Sequence, residues 1–165
     1  MRIGVLSDIH DNLPALQAAL DTFRSEGVET LLFLGDFCSP IPARELAGYD
    51  GKIHAVFGNG DGDRFAIARF ASEQAPNLHL HGEHAELELD GRRIALTHYP
   101  LYGSALARTG DYDAVFSGHT HERHLERFGG CIWANPGEVL GWKGRPSVAI
   151  YDTEGHTVTF LDLSV

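Results

Sequence analysis

Ten histidines stand among the 165 residues, and the placement of four of them points to chemistry. Five short apolar runs each hand over to a carboxylate, carboxamide or imidazole. Residues 2–6 lead into Ser7-Asp8-Ile9-His10, residues 30–34 into Gly35-Asp36, and residues 53–57 into Gly58-Asn59-Gly60-Asp61. Residues 92–97 end at His98, and residues 114–116 lead into Gly118-His119-Thr120-His121. A single aspartate after a strand is ordinarily a turn or cap residue, and a lone histidine is ordinarily a satisfied core or surface one. Five such endings on the same side of their strands are not something turns require. Within His119-x-His121, alternate residues of an extended segment share a face, so both imidazoles can reach one site.

The donor types narrow the chemistry. Asp8, His10, Asp36, Asn59, His98, His119 and His121 offer oxygen and imidazole nitrogen but no thiolate, which disfavours a structural zinc site. Seven candidate ligands exceed the needs of one ion. They suit two borderline divalent ions sharing one carboxylate, with Mn²⁺, Fe²⁺, Co²⁺, Ni²⁺ or Zn²⁺ favoured over Ca²⁺. Two such ions ~3.5–4 Å apart can activate a bridging hydroxide and hold both oxygens of an in-line phosphoryl displacement. Two dications, two aspartates and a hydroxide leave the site net positive, which suits an anionic substrate.

These residues need a scaffold whose strand ends converge. Residues 2–6 and 30–34 read as buried parallel strands. Between them Leu13, Leu16, Leu20 and Phe23 recur at helical spacing, with Asn12 as N-cap, Pro14 in the first turn and Gly27 as terminator. Residues 53–57 repeat the strand signal after a weaker helical stretch at 43–47, and residues 63–73 read as a helix burying Phe65, Ile67, Ala68 and Phe70. Further on, strands are expected at 78–81, 85–89, 92–97 and 114–116, with Asp90-Gly91 as a hairpin turn. Two more hairpins follow, around Gly129-Gly130 and Glu154-Gly155. The expectation is a single domain, 1–165, with a βαβαβ start, a mostly antiparallel second half, and two sheets packed face to face with helices outside. Ligands of open α/β sheets bind at the carboxyl ends of strands, which is where the five polar segments lie.

Composition sets limits. Thirteen Lys and Arg against 23 Asp and Glu give a formal charge of −10, which argues against long nucleic acid or an anionic membrane as partner. Two cysteines, Cys38 and Cys131, are too few for a disulfide framework, and a reducing, cytoplasmic setting is expected. No secretory leader or membrane-spanning stretch is expected either. A homo-oligomer is compatible with all of this.

In order, Asp8-x-His10, Gly35-Asp36, Gly58-Asn59-x-Asp61, His98 and Gly118-His119-x-His121 resemble the signature of calcineurin-like metallophosphoesterases. The compact length and Asn135-Pro136-Gly137 are most similar to the small prokaryotic phosphodiesterase branch. That resemblance spans residues 3 to about 138. It implies an α-β-β-α fold in four layers and a dinuclear phosphodiesterase acting on small phosphodiesters through a metal-bridging hydroxide. It also implies that Asp8, His10, Asp36 and His121 hold one ion, and that Asp36, Asn59, His98 and His119 hold the other. Manganese is the favoured metal, and Asn59, Asp61 and His10 are the candidate catalytic residues. Arg64, just after the Asn59 loop, is a candidate contact to a substrate phosphate, with a solvated helix-face arginine as the bland alternative.

Two positions depart from the pattern. Many relatives place a histidine after Gly-Asn to assist the leaving group, and here that residue is Gly60; the small branch commonly lacks it. The branch usually has serine where this chain has Glu138, for which the sequence supplies no reason. Outside the set, His79 and His81 are expected on the solvent face of a strand, and Cys38 as a small buried hydrophobe. The rival class is a protein-interaction scaffold of the same fold that has lost catalysis. A scaffold has no need for seven correct ligand types, so an enzyme is the expectation.

Overall fold

A computed structural model describes residues 1–165, in which eleven strands form two sheets. The first sheet is built on β1 (Arg2–Leu6), β2 (Thr30–Phe33), β3 (Lys52–Ala55) and β4 (Leu78–Leu80), all parallel. Between them run α1 (Leu13–Ser25), α2 (Pro40–Ala47) and α3 (Arg64–Gln74). The second sheet contains β5 (His84–Leu89), β6 (Arg92–Thr97), β7 (Ala114–Phe116), β8 (Arg123–Phe128) and β9 (Cys131–Pro136). A helix, α4 (Pro100–Ala107), joins β6 to β7. The closing hairpin, β10 (Ser147–Asp152) and β11 (Thr157–Asp162), returns to the first sheet, where β10 lies antiparallel to β1.

Burial follows from this layering. Leu16, Leu20, Phe23, Phe33, Leu46, Ile67 and Val148 fill the space between α1–α3 and the first sheet. Ile3, Val5, Leu32, Leu34, Leu96, Phe116, Ile132 and Tyr151 fill the space between the two sheets. Ala107 of α4 packs with Ala95, Val115 and Cys131 on the outer face of the second sheet. The four-layer expectation therefore holds.

The second half is less antiparallel than its hairpins suggest. β5–β6 and β8–β9 are antiparallel, but β6, β7 and β9 run parallel at the sheet centre. This parallel centre sends the ends of β6 and β7 to a common edge, carrying His98 and the 118–121 segment there. Locally, Asn12 caps α1 as expected, its Oδ1 accepting from Ala15 N–H at 3.2 Å, and its Nδ2 donates to the Leu140 carbonyl at 2.8 Å.

Two readings of helices are corrected. α4 was not expected from its pattern: it has no side-chain N-cap and carries Gly103, which sits against Trp133 and Ser117. In α3 the buried residues are Ile67 and Ala71, whereas Phe65 is 79% exposed and Ala68 is exposed. Phe70 is half-buried, with the Arg44 guanidinium 5.6 Å from its ring centre.

His79 and His81 are exposed, as expected for the solvent side of a strand, and both stack on half-buried His54. His54 Nδ1 lies 3.0 Å from His81 Nε2. Burial, with His81, His79 and Lys52 nearby, pushes the His54 imidazole down from 6.5 to about 4. A depressed histidine costs folding nothing while both states are neutral, and it destabilises the fold once the unfolded chain takes up a proton that the folded one does not. Chelator-treated protein should therefore lose stability as pH falls from 6.5 toward about 4. Against wild type, His54→Gln should lose less between pH 7 and pH 5. The difference should be on the order of 1 kcal/mol after allowing for solvent screening, or roughly 2–4 °C in Tm. Identical pH slopes in thermal melts would show that His54 carries none of this dependence.

Candidate metal centre

Apolar plugs and backbone bonds fix the loops at the common edge. Ile9, Phe37 and Val139 are fully buried in the helix-side core, each next to or near a polar site residue. Asp8 N–H donates to the Gly35 carbonyl at 3.0 Å, and the Ile9 and His10 amides both reach the Asp36 carbonyl at 3.1 Å. Val139 and Leu140 amides bind the Ser7 and Asp8 carbonyls at 3.0 Å, sewing the loop after β9 to the end of β1. Asp61 is the staple of the β2 and β3 ends. Its Oδ2 accepts from Gly58 and Asp36 amides at 2.7 and 3.2 Å, and its Oδ1 from the Cys38 amide at 3.1 Å. Burial raises the Asp61 carboxyl above the ordinary range, and those three amides oppose the rise.

The backbone of these loops is unusual. Asp8, His10, Asp11, Asp36, Cys38, His119 and His121 all have positive φ, between 45° and 74°. Outside glycine this conformation is uncommon, and it persists only where surrounding contacts over-determine it. Two glycines admit the close packing. A Cβ on Gly58 would lie 2.2 Å from Asp36 Oδ1, and one on Gly118 would lie 2.0 Å from Ser7 Oγ.

The seven predicted ligands come together. Asp36 Oδ2 lies 3.3 Å from His10 Nε2 and 3.5 Å from His98 Nε2, so one oxygen faces two imidazoles. Asp8 Oδ1 lies 3.3 Å from His121 Nε2 and 3.8 Å from His10 Nε2. Asn59 Oδ1 lies 3.0 Å from His98 Nε2 and 2.7 Å from His119 Nδ1. Two overlapping groups could each hold an ion: Asp8 with His10 and His121, and Asp8 with Asp36 and His98. By distance alone Asp8 belongs to both, while Asp36 Oδ2 stands between His10 and His98.

A cation fits this arrangement. Asp8 Oδ1 and His10 Nε2 are buried, face each other, and have no hydrogen-bond partner. Burial would push the Asp8 carboxyl up, but the His10, His98 and His121 imidazoles hold it below the usual range. In turn the Asp8 carboxylate, helped by Asp36 and Asp61 and opposed by burial, holds the His10 imidazole above its usual range. Buried lone pairs that converge without donors are what a bound cation would satisfy. The outward nitrogens are held too. His98 Nδ1–H donates to the Leu34 carbonyl at 2.8 Å, and His10 Nδ1 lies 3.1 Å from Cys38 Sγ.

Several residues lie elsewhere than expected. Cys38 is half-exposed against His10 rather than sealed in the core, and burial with four neighbouring aspartates pushes its thiol up to about 11. Arg64 has both ends of its guanidinium engaged, at 2.5 Å from the Gly58 carbonyl and 2.9 Å from Glu83 Oε1. It therefore clamps the Asn59 loop, and a contact to substrate would require it to release one of these. Glu138 had no sequence rationale, yet it lies 1% exposed with Oε2 2.6 Å from His121 Nδ1. Its oddity after Asn-Pro-Gly was the only signal.

Residues 1–156 match the calcineurin-like phosphoesterase superfamily domain. The chain belongs to this family. It is 34% identical over 157 residues to the phosphodiesterase MJ0936 of Methanocaldococcus jannaschii, covering 93% of this chain and 94% of that one. It is 29% identical over 158 residues to the Escherichia coli phosphodiesterase YfcE, covering 87% and 82% respectively. The solved structure of an archaeal phosphodiesterase superposes with a TM-score of 0.91 at 32% identity, covering 99% of this chain and all of that one. In this calcineurin-like phosphoesterase the seven oxygen and imidazole donors described above lie at the common edge of the two sheets.

A carboxylate between two imidazole groups predicts an asymmetry in metal loss. Asp36→Asn keeps the side-chain shape but removes the charge that both groups face, and should lower metal content at both positions. His119→Ala, at the exposed rim, should weaken only one. Elemental analysis after dialysis checks this. Equal metal per chain in wild type and Asp36→Asn would rule out a bridging Asp36.

Proposed function

We propose that this chain is a phosphodiesterase that hydrolyses small phosphodiesters with two divalent ions, residues 1–165 acting as one domain. The observation that carries the reading is the pair of buried, unpartnered atoms Asp8 Oδ1 and His10 Nε2 beside the shared Asp36 oxygen. In this reading Asp8, His10, Asp36 and His121 hold one ion, and Asp36, Asn59, His98 and His119 the other. The mixed oxygen and imidazole donors suit manganese, with nickel, iron, cobalt or zinc as substitutes. When bound, the ions supply Lewis acidity and lower the pKa of water enough to give a nucleophile near neutral pH.

The protein's own residues set the rest. His98 is held by Leu34 so that Nε2 faces inward, and Asp61 holds the backbone that presents Asp36. Asp61 thus acts by positioning. Asn59 and His119 are the exposed members of the set, so substrate approaches from their side. There Tyr99, Pro100, Leu101, Tyr102 and His119 line a cavity of about 270 Å³, which fits a small organic group. The charge of −10 disfavours a long polyanion, and the relatives named phosphodiesterases support the reaction class. A cytoplasmic setting is consistent with two free cysteines, and no helix is long and apolar enough to cross a membrane.

Gly60 leaves the leaving group without a proton donor at that position. Its amide donates to Asp36 Oδ1 at 2.6 Å, and an added Cβ would sit 3.0 Å from the Asp36 carboxylate. A histidine there would press on the shared ligand. His10, whose Nε2 would be a ligand in this reading and whose Nδ1 lies against Cys38, has no spare nitrogen to replace it. A positioned acid is typically worth ~10²–10⁴-fold. Activated aryl diesters should therefore be cleaved faster than alkyl diesters by a comparable factor, with Mn²⁺ added and not with chelator present. A leaving-group series decides this. A flat series would show that another group protonates the leaving oxygen, and Mn²⁺-loaded protein inert toward every diester and monoester would favour the scaffold reading.

A further inference from the structure

Two buried carboxylates near the site have no ligand role, Asp61, which staples the β2 and β3 ends, and Glu138. Gly137, at φ 85°, turns the chain so that Glu138 enters the protein between the 119–121 segment and residues 139–146. Its two oxygens have different duties. Oε1 accepts the Lys143 and Gly144 amides at 2.5 and 3.1 Å, while Oε2 meets His121 Nδ1 at 2.6 Å. The far nitrogen of the same ring, Nε2, is the atom 3.3 Å from Asp8 Oδ1. Trp142 closes over the imidazole edge-on, with ring centres 5.8 Å apart.

We propose that Glu138 is a positioning residue that locks His121 in the tautomer protonated on Nδ1, presenting Nε2 as a ligand on the Asp8 side. The proposal rests on the dinuclear reading above. A neutral imidazole has one donor and one acceptor nitrogen, and the partner of one decides which role is left to the other. A carboxylate can only accept, so Nδ1 must carry the hydrogen. The two backbone amides prevent Glu138 from swinging away, and this costs the ring its freedom to turn. Serine at this position is too short to reach His121 in the same way, so the departure from the branch pattern has a physical consequence.

Glutamine makes the test sharp. Its single amide oxygen can satisfy either the two backbone N–H groups or His121, and two donors outweigh one. The amide nitrogen of Glu138→Gln would then face Nδ1, which must become the acceptor, and the hydrogen would move to Nε2. That blocks the ligand atom while leaving the loop bonds intact. ¹⁵N NMR of imidazole-labelled, metal-free protein reads the tautomer, and Mn²⁺ titration followed by calorimetry reads the two sites. The expected result is Nδ1–H in wild type, Nε2–H in Glu138→Gln, and one site weakened about 10–100-fold with the other retained. An unchanged tautomer with both affinities at wild-type level overturns the proposal. So does an unchanged tautomer with a lowered Tm, which would make Glu138 a loop clamp only. Wild-type protein that takes up no Mn²⁺ overturns the dinuclear reading instead, and the metal-free spectrum still reports on Glu138.

Discussion

Two carboxylates, Asp8 and Asp36, are buried to 0% and 1% exposure a few ångströms apart, and no lysine or arginine pairs with either. Removing even one anion from water is costly, and two near each other add repulsion to desolvation. Only partial compensation comes from the chain itself. The Gly60 amide serves Asp36 Oδ1, the His119 amide serves Asp8 Oδ2, and imidazoles face the remaining oxygens. What these leave uncompensated is negative charge, a deficit of cations. The rest of the site can be understood as the means of holding that deficit in place until cations fill it.

Holding it requires rigidity from elsewhere. A loop free to relax would swing Asp8 or Asp36 into solvent, so each is fastened on both sides. Ile9 and Phe37 are driven into the helix-side core, and the backbone between them is bonded across the ends of β1 and β2. Asp61 adds three amide bonds from β3's end. The seven positive-φ residues record the result, since each non-glycine residue in that region costs on the order of 1–3 kcal/mol. The sheets and cores supply the stability against which this strain is set.

Much of this was legible in sequence because it is local. Strand runs and their polar endings lie within ten residues, and the Asn12 cap lies within three of the amide it serves. Parallel order in the first sheet followed from alternating strand and helix. The second sheet was harder. Its hairpin turns announce antiparallel pairs, whereas the parallel pairing of β7 with β9 spans an intervening strand and leaves no turn signature. α4 escaped for lack of a cap and because Gly103 interrupts its pattern. Phe65 reads as core by residue type, but the face of α3 is set by Ile67 and Ala71. The pairs Arg64–Gly58, Glu138–His121, Asp61–Asp36 and Cys38–His10 span 6 to 28 residues, where no periodicity reaches.

The exposure of the ligands is graded, and the grading matches the demands of hydrolysis. At the closed end are Asp8 and His98, with His121 nearly covered beneath Trp142. At the open end are Asn59 and His119, beside Tyr99 and Tyr102. Charges are worth more where water is excluded, so the deep end is where a cation is held most strongly. A substrate must exchange on every turnover, so the reacting end cannot be sealed in the same way. Each end draws on both sheets: the closed one takes Asp8 from the end of β1 and His98 and His121 from the segments after β6 and β7, the open one Asn59 from the segment after β3 and His119 from that after β7. Parallel strands in both sheets are what allow these unlike surfaces to meet along one edge, with Asp36 between them.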